Sequence, residues 1–136
     1  MPNPGRHEPP VDIMVGDQII VAGDAGTGQT IIYADINATA LTAATPAQLF
    51  ALVAAKKFYI LELYLTFTVQ GIHRLLDTTG TPVYRATWQT ASYGAVAYHR
   101  NANDKAHFVT TVAQNLGIVS SVNNSVSGSI VYYNAT

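Results

Sequence analysis

The sequence predicts an all-β chain: an antiparallel two-sheet β-sandwich, jelly-roll-like, preceded by an extended N-terminal arm. Three observations carry this. Apolar residues alternate with period two in one segment after another, the repeat of a strand with one buried face. Clusters of Gly, Asn, Asp and Pro punctuate the chain every ~8–12 residues. No amphipathic helices of 10–15 residues separate the strands, so a parallel sheet with crossover helices is excluded. At 136 residues the chain suits one domain with one core.

Met1 to Val11 forms the arm. Pro2, Pro4, Pro9 and Pro10 fix φ and remove backbone donors, which disfavours helix and central strand. Residues 12–136 make the sandwich. Ile13–Val15 and Gln18–Val21 flank Gly16-Asp17, a two-residue hairpin signal. After the glycine-rich stretch Gly23 to Gly28, Thr30 to Ile36 reads as a strand, with Ile32, Ala34 and Ile36 on one face and Tyr33 and Asp35 on the other. Thr45 to Ala55 supports two readings. Thr45-Pro46 resembles a helix start, yet Leu49, Ala51 and Val53 alternate as in a strand.

From Lys57 onward the pattern is β throughout. In Lys57 to Val69, the residues Tyr59, Leu61, Leu63, Leu65 and Phe67 form the expected core face. Phe58, Ile60, Glu62 and Tyr64 form the opposite face, which is still largely apolar. Such a face demands a cover: another subunit, a larger assembly, or this chain's own segment from Asp12 to Ile36. These four, and separately Pro2, Pro4, Pro9 and Pro10 of the arm, are the candidate interface residues. Ile72–Leu76 and Val83–Gln89 flank the turn-rich Asp77 to Pro82 and form a hairpin. Ser92–His99, Ala106–Ala113, Gly117–Val122 and Val126–Tyr133 complete the set. Leu61, Leu63, Leu65, Phe67, Trp88, Ile118 and Ile130 are expected to be buried.

Composition narrows the function. Cysteine is absent, which removes disulfides, thiolate metal sites and cysteine nucleophiles. Seven basic residues against eight acidic ones leave no excess for neutralising phosphates, so no nucleic-acid partner is expected. Only 11% of residues are charged, against about 25% in ordinary soluble domains. Fifteen threonines fill much of the deficit. No apolar run reaches the ~20 residues of a membrane-spanning helix, and no membrane partner is expected. Met1 to Pro10 lacks the apolar centre of a secretory signal.

Motifs for chemistry are weak. Gly23 to Thr30 has the spacing of a phosphate loop, but Gln29 stands where the lysine belongs and a β pattern follows. His7, His73, His99 and His107 fall at no metal-binding spacing. Asp35 and Glu62 are the only strand-borne acids, with nothing to link them as an acid–base pair. Ser127-Gly128-Ser129 lacks the glycines of a nucleophile elbow. Neither a catalytic residue, a cofactor nor a metal is expected, and the chain reads as a non-enzyme. A carbohydrate- or receptor-binding module using Tyr93, Tyr98 and Trp88 is the alternative reading.

Three stretches carry a family resemblance: Ala54 to Leu63 (AAKKFYILEL), Thr110 to Ile118 (TTVAQNLGI) and Val126 to Tyr132 (VSGSIVY). Together they resemble small β-sandwich virion proteins of tailed bacteriophages, the kind that decorate or cement capsids. The likeness spans roughly Gln48 to Tyr133. It departs at Ala55, where a turn glycine is expected, and in the proline-bearing arm. The resemblance implies a non-enzymatic, usually trimeric protein that resides in the virion and binds the capsid lattice at its symmetry axes. Its partners would be the major capsid protein or other virion subunits.

Overall fold

The computed structural model of the chain describes residues 13–15, 18–21 and 29–136. The four arm prolines and the stretch Gly23 to Gly28 lie outside these. Among the described residues there are eleven strands and no helix. They are β1 (Ile13–Val15), β2 (Gln18–Val21), β3 (Gln29–Leu41), β4 (Ala47–Phe50), β5 (Lys57–Phe67), β6 (Gly71–Asp77), β7 (Val83–Thr90), β8 (Gly94–Tyr98), β9 (Phe108–Val109), β10 (Leu116–Ser120) and β11 (Asn124–Ala135).

Two antiparallel sheets pack face to face. The larger runs β1-β2-β3-β11-β5-β8, with β9 pairing to β5 beside β8; the smaller runs β4-β10-β6-β7. From β3 onward the chain visits the larger sheet, the smaller, the larger, then the smaller for the β6–β7 hairpin. It then returns to the larger with β8 and β9, and finishes with β10 and β11 in turn. Eight successive strand positions dealt out this way form a jelly roll. β1 and β2 add a hairpin at the outer edge of β3, with Val15 opposite Gln18 as the Gly16-Asp17 signal requires.

The inter-sheet core holds Ile36, Leu41, Leu63, Leu65, Phe67, Leu75, Leu116, Ile118, Val126 and Ile130, all buried. Trp88 is only half-buried, at the margin of this core. Thr45 to Ala55 resolves into the short strand β4 followed by a turn, with no helix. Two expected strands are shorter than their periodicity suggested. Ala91 to Tyr93 turn before β8, closed by a Gly94 N–H bond to the Ala91 carbonyl. Beyond β9, Thr110 and Ala113 donate their amides to the carbonyls of Phe58 and Lys56, and Ala113 takes positive φ, so the chain bends off the sheet.

The main departure from simple alternation lies within β5. Val131 of β11 faces Glu62, but the next residue, Tyr132, faces Ile60. Leu61 is therefore the extra residue of a β-bulge. A one-residue insertion moves every side chain beyond it to the other face. Phe58 and Ile60 consequently enter the inter-sheet core with Leu63, Leu65 and Phe67. Tyr59 and Leu61, expected in that core, instead join Ile31, Val131 and Tyr133 in a second cluster on the outer face of the larger sheet. The same device operates in β7, where Leu75 faces Ala86 but Leu76 faces Tyr84. Arg85 is the extra residue, and Tyr84 is exposed while Ala86 and Trp88 face the core.

The segment 99–107, between β8 and β9, folds back over that outer face as a strap. Its Ala106 packs on the second cluster. Arg100 forms an ion pair with Asp104 and donates to the Tyr33 hydroxyl at 2.9 Å. The His107 amide returns to the Ile60 carbonyl at 2.8 Å.

Gly128 fixes how closely β11 approaches β5. Its φ is +147°, a region that is essentially glycine-only. A Cβ there would lie 1.8 Å from the Tyr64 carbonyl oxygen. Gly128→Ala should therefore be at least as damaging as removing a core side chain. Leu63→Ala should cost about 2–5 kcal/mol, and Tyr64→Ala on the opposite face of the same strand about 0.5 kcal/mol or less. Urea denaturation of the three variants tests this ordering.

Candidate functional site

The expected interface residues do not share one surface. Phe58 and Ile60 are core residues. Glu62 is half-buried on the outer face of the larger sheet, opposite Val131. Tyr64 lies on that face too and is 49% exposed. Of the four, Tyr64 alone presents a large open side chain. The bulge at Leu61 accounts for the split.

The buried polar groups are engaged in holding the sandwich. Asp77 ends β6 and is fully buried. Arg85 grips it with two bonds, Nε to Oδ1 at 3.1 Å and Nη2 to Oδ2 at 2.6 Å. The Thr111 amide donates to Oδ2 at 2.9 Å, and Arg85 Nη2 also reaches the Thr111 hydroxyl at 2.6 Å. This clasp ties the base of the β6–β7 hairpin to the segment crossing from β9 to β10. Burial alone would raise the Asp77 carboxyl. Arg85 and the Thr111 bonds outweigh it and hold the group below the ordinary carboxylate range.

His73 is sealed in the other end of the core. Its Nδ1 lies 3.1 Å from Ser120 Oγ and its Nε2 2.8 Å from Thr90 Oγ1. Its ring stacks on Phe67 at 3.6 Å between centroids. Burial holds its pKa below the usual histidine value. Among the described residues every buried side-chain polar atom has a partner.

Of these groups, Ser120 lines an open depression with Ile72, Arg74 and Tyr84. Asp35 and Glu62 sit on the same sheet face, on strands separated by β11 and two register positions apart. That places their Cα atoms about 12 Å apart, on the outer face of the sheet. Among the described residues no three His, Asp or Glu side chains gather into a metal-sized group. Trp88 and Tyr98 are not a stacking platform: Trp88 Nε1 donates to the Tyr98 hydroxyl at 2.8 Å, closing the gap between the sheets, and Phe108 packs edge-on to both. Tyr93 stands apart at the β7–β8 turn, 81% exposed.

The two ends of the sandwich differ. One end gathers the loops 42–46, 68–70, 91–93 and 121–123, which carry no charge. The other gathers 51–56, 78–82 and 110–115. Asn115 ties these three together. Its Oδ1 accepts the Leu52 amide at 2.7 Å, its carbonyl accepts the Thr78 amide at 3.0 Å, and its own amide donates to Thr79 Oγ1 at 3.1 Å. Around this knot Leu52 and Val53 are each 39% exposed and Val112 is 43% exposed. Sequence reasoning missed both the knot and the clasp, because nothing local links Asn115 to Leu52 or Asp77 to Thr111.

Comparison with family models, curated proteins and solved structures returns no match.

Two outcomes follow from the buried groups. His73 is neutral in the fold and titrates below its unfolded value of ~6.5. The unfolded chain therefore binds the extra proton first as pH falls. Stability should be full above pH ~6.5 and decline below it by at most about 1.4 kcal/mol per pH unit until the folded pKa is reached. Comparing urea midpoints at several pH values between 7.5 and 5.5 should show this slope, and His73→Gln should remove it. Asp77 acts lower: its contribution is intact above the unfolded carboxylate pKa and is lost as pH drops through the depressed folded value. Asp77→Asn should cost about 2–3 kcal/mol near neutrality, measured by the same denaturation.

Proposed function

We propose that this chain is a non-enzymatic structural subunit of a virus particle, a decoration or cement protein that binds the capsid lattice and stabilises it. The observation that carries the reading is the use made of its polar chemistry. The buried Asp77 and His73 and the partly buried Arg85 and Asn115 brace strands and loops, while the surface presents open apolar side chains such as Tyr64, Tyr93, Leu52 and Val112 among few charges. This is the profile of a rigid building block whose work is done by contact. The resemblance of Ala54–Leu63, Thr110–Ile118 and Val126–Tyr132 to phage decoration proteins supports the same reading, and the trimeric state and virion location rest on that resemblance. Major capsid protein or another virion subunit is the partner it implies. Tyr64 and Glu62 on the outer sheet face remain interface candidates, as does the arm with Pro2, Pro4, Pro9 and Pro10. Proline fixes φ in advance, so such an arm loses less entropy on docking than a flexible one.

Light scattering should report a trimer, and the purified chain should co-sediment with capsid shells assembled without it. Deleting residues 1–10 should leave the melting temperature nearly unchanged and weaken shell binding. A monomer that ignores shells but binds on a glycan array would replace this reading with a carbohydrate-binding module.

A further inference from the structure

We infer that the end of the sandwich built from loops 51–56, 78–82 and 110–115 is the docking end, and that it seats in an apolar depression of a protein partner rimmed by carboxylates. The inference rests on the structural-subunit reading above and names the surface that makes the contact.

The loops expose large aliphatic side chains. Turn segments normally send polar side chains to water and bond locally. Here the half-buried Asn115 and Thr79 accept backbone amides, and the exposed Thr111 hydroxyl accepts from the Arg85 guanidinium. Leu52, Val53 and Val112 are exposed beside Lys56, Thr81 and Thr111. The turn carrying them is fixed by bonds from the Lys56 amide to the Val53 carbonyl and from the Ala113 amide to the Lys56 carbonyl. The aliphatic tip is thus held in one shape before any partner arrives, which lowers the entropy lost on binding.

Charge sets the partner's chemistry. These three loops carry a single formal charge, Lys56, and Lys57 follows it at the start of β5. Asp77, at the foot of the 78–82 loop, is buried and paired with Arg85. An apolar tip with lysines at its margin complements an apolar site with an acidic rim. It is a poorer match to a lipid surface. Interfacial membrane loops rely on Trp and Tyr, and none of the three loops contains an aromatic residue.

The test uses the full chain and shells assembled without it. Leu52→Asp and Val112→Asp should each weaken co-sedimentation about tenfold or more, and Lys56→Glu should weaken it and reduce its salt sensitivity. Tyr93→Asp, at the opposite end, should bind as the parent does. Leu52→Ser repeats the measurement with a milder change, and thermal melting establishes that each variant is folded. Parent binding that survives both aspartate variants overturns the docking end while leaving the structural role intact. Failure of the parent to bind shells overturns both. Binding to phosphatidylcholine–phosphatidylserine vesicles that Leu52→Asp abolishes would assign the tip to a membrane and overturn the protein partner.

Discussion

The architecture depends on one added residue in its central strand. β5 pairs with β11 on one side and with β8 and β9 on the other, so its register propagates through the larger sheet. Leu61 divides it into two parts with opposite facing. After the bulge, Leu63, Leu65 and Phe67 fill the space between the sheets; before it, Phe58 and Ile60 do so. Without the extra residue, Tyr59 would take their place and two large apolar side chains would lie in water. The bulge also places both Leu61 and Tyr59 on the outer face, which is why that face needs a strap. The close passage of Gly128 against Tyr64 keeps β11 near enough to hold both parts of β5 in register.

Period-two alternation and turn residues were enough to read the sandwich and most strands, because both are local signals. The hairpin at Asp77–Pro82 and the core positions of Leu63, Phe67, Ile118 and Ile130 follow directly from them. What the sequence concealed is what alternation cannot encode. A bulge changes face without changing composition, so Phe58 and Ile60 looked like surface residues. The candidate surface was less legible still. Tyr64 is readable, since it lies after the bulge. The Asn115 knot spans 63 positions to Leu52, and only the folded chain brings them together. Ala55 adopts φ +59°, a left-handed conformation that glycine takes more readily.

Low charge and full hydrogen bonding are two aspects of the same economy. The chain has few ions, and among the described residues two pairs form internal ties, Arg85 with Asp77 and Arg100 with Asp104. Neutral groups do the remaining work. Thr110 Oγ1 accepts the Phe58 amide, Asn124 Oδ1 accepts the Val69 amide, and Ser127 Oγ accepts the Ala38 amide. A Thr- and Asn-rich composition is therefore what braces irregular backbone at bulges and corners when salt bridges are scarce.

The strap gives the molecule a hierarchy of opening. The second cluster has only a few buried members, closed by Ala106 and by the bonds that Arg100 makes across to Tyr33 and Asp104. Lifting the strap would expose Leu61 and Tyr133 while the inter-sheet core stays closed. Units of this kind behave as separate foldons with their own, lower free energy of opening. A protease that samples such excursions would nick the chain between residues 99 and 107 before global unfolding, and the severed halves would remain joined through β5 and β11.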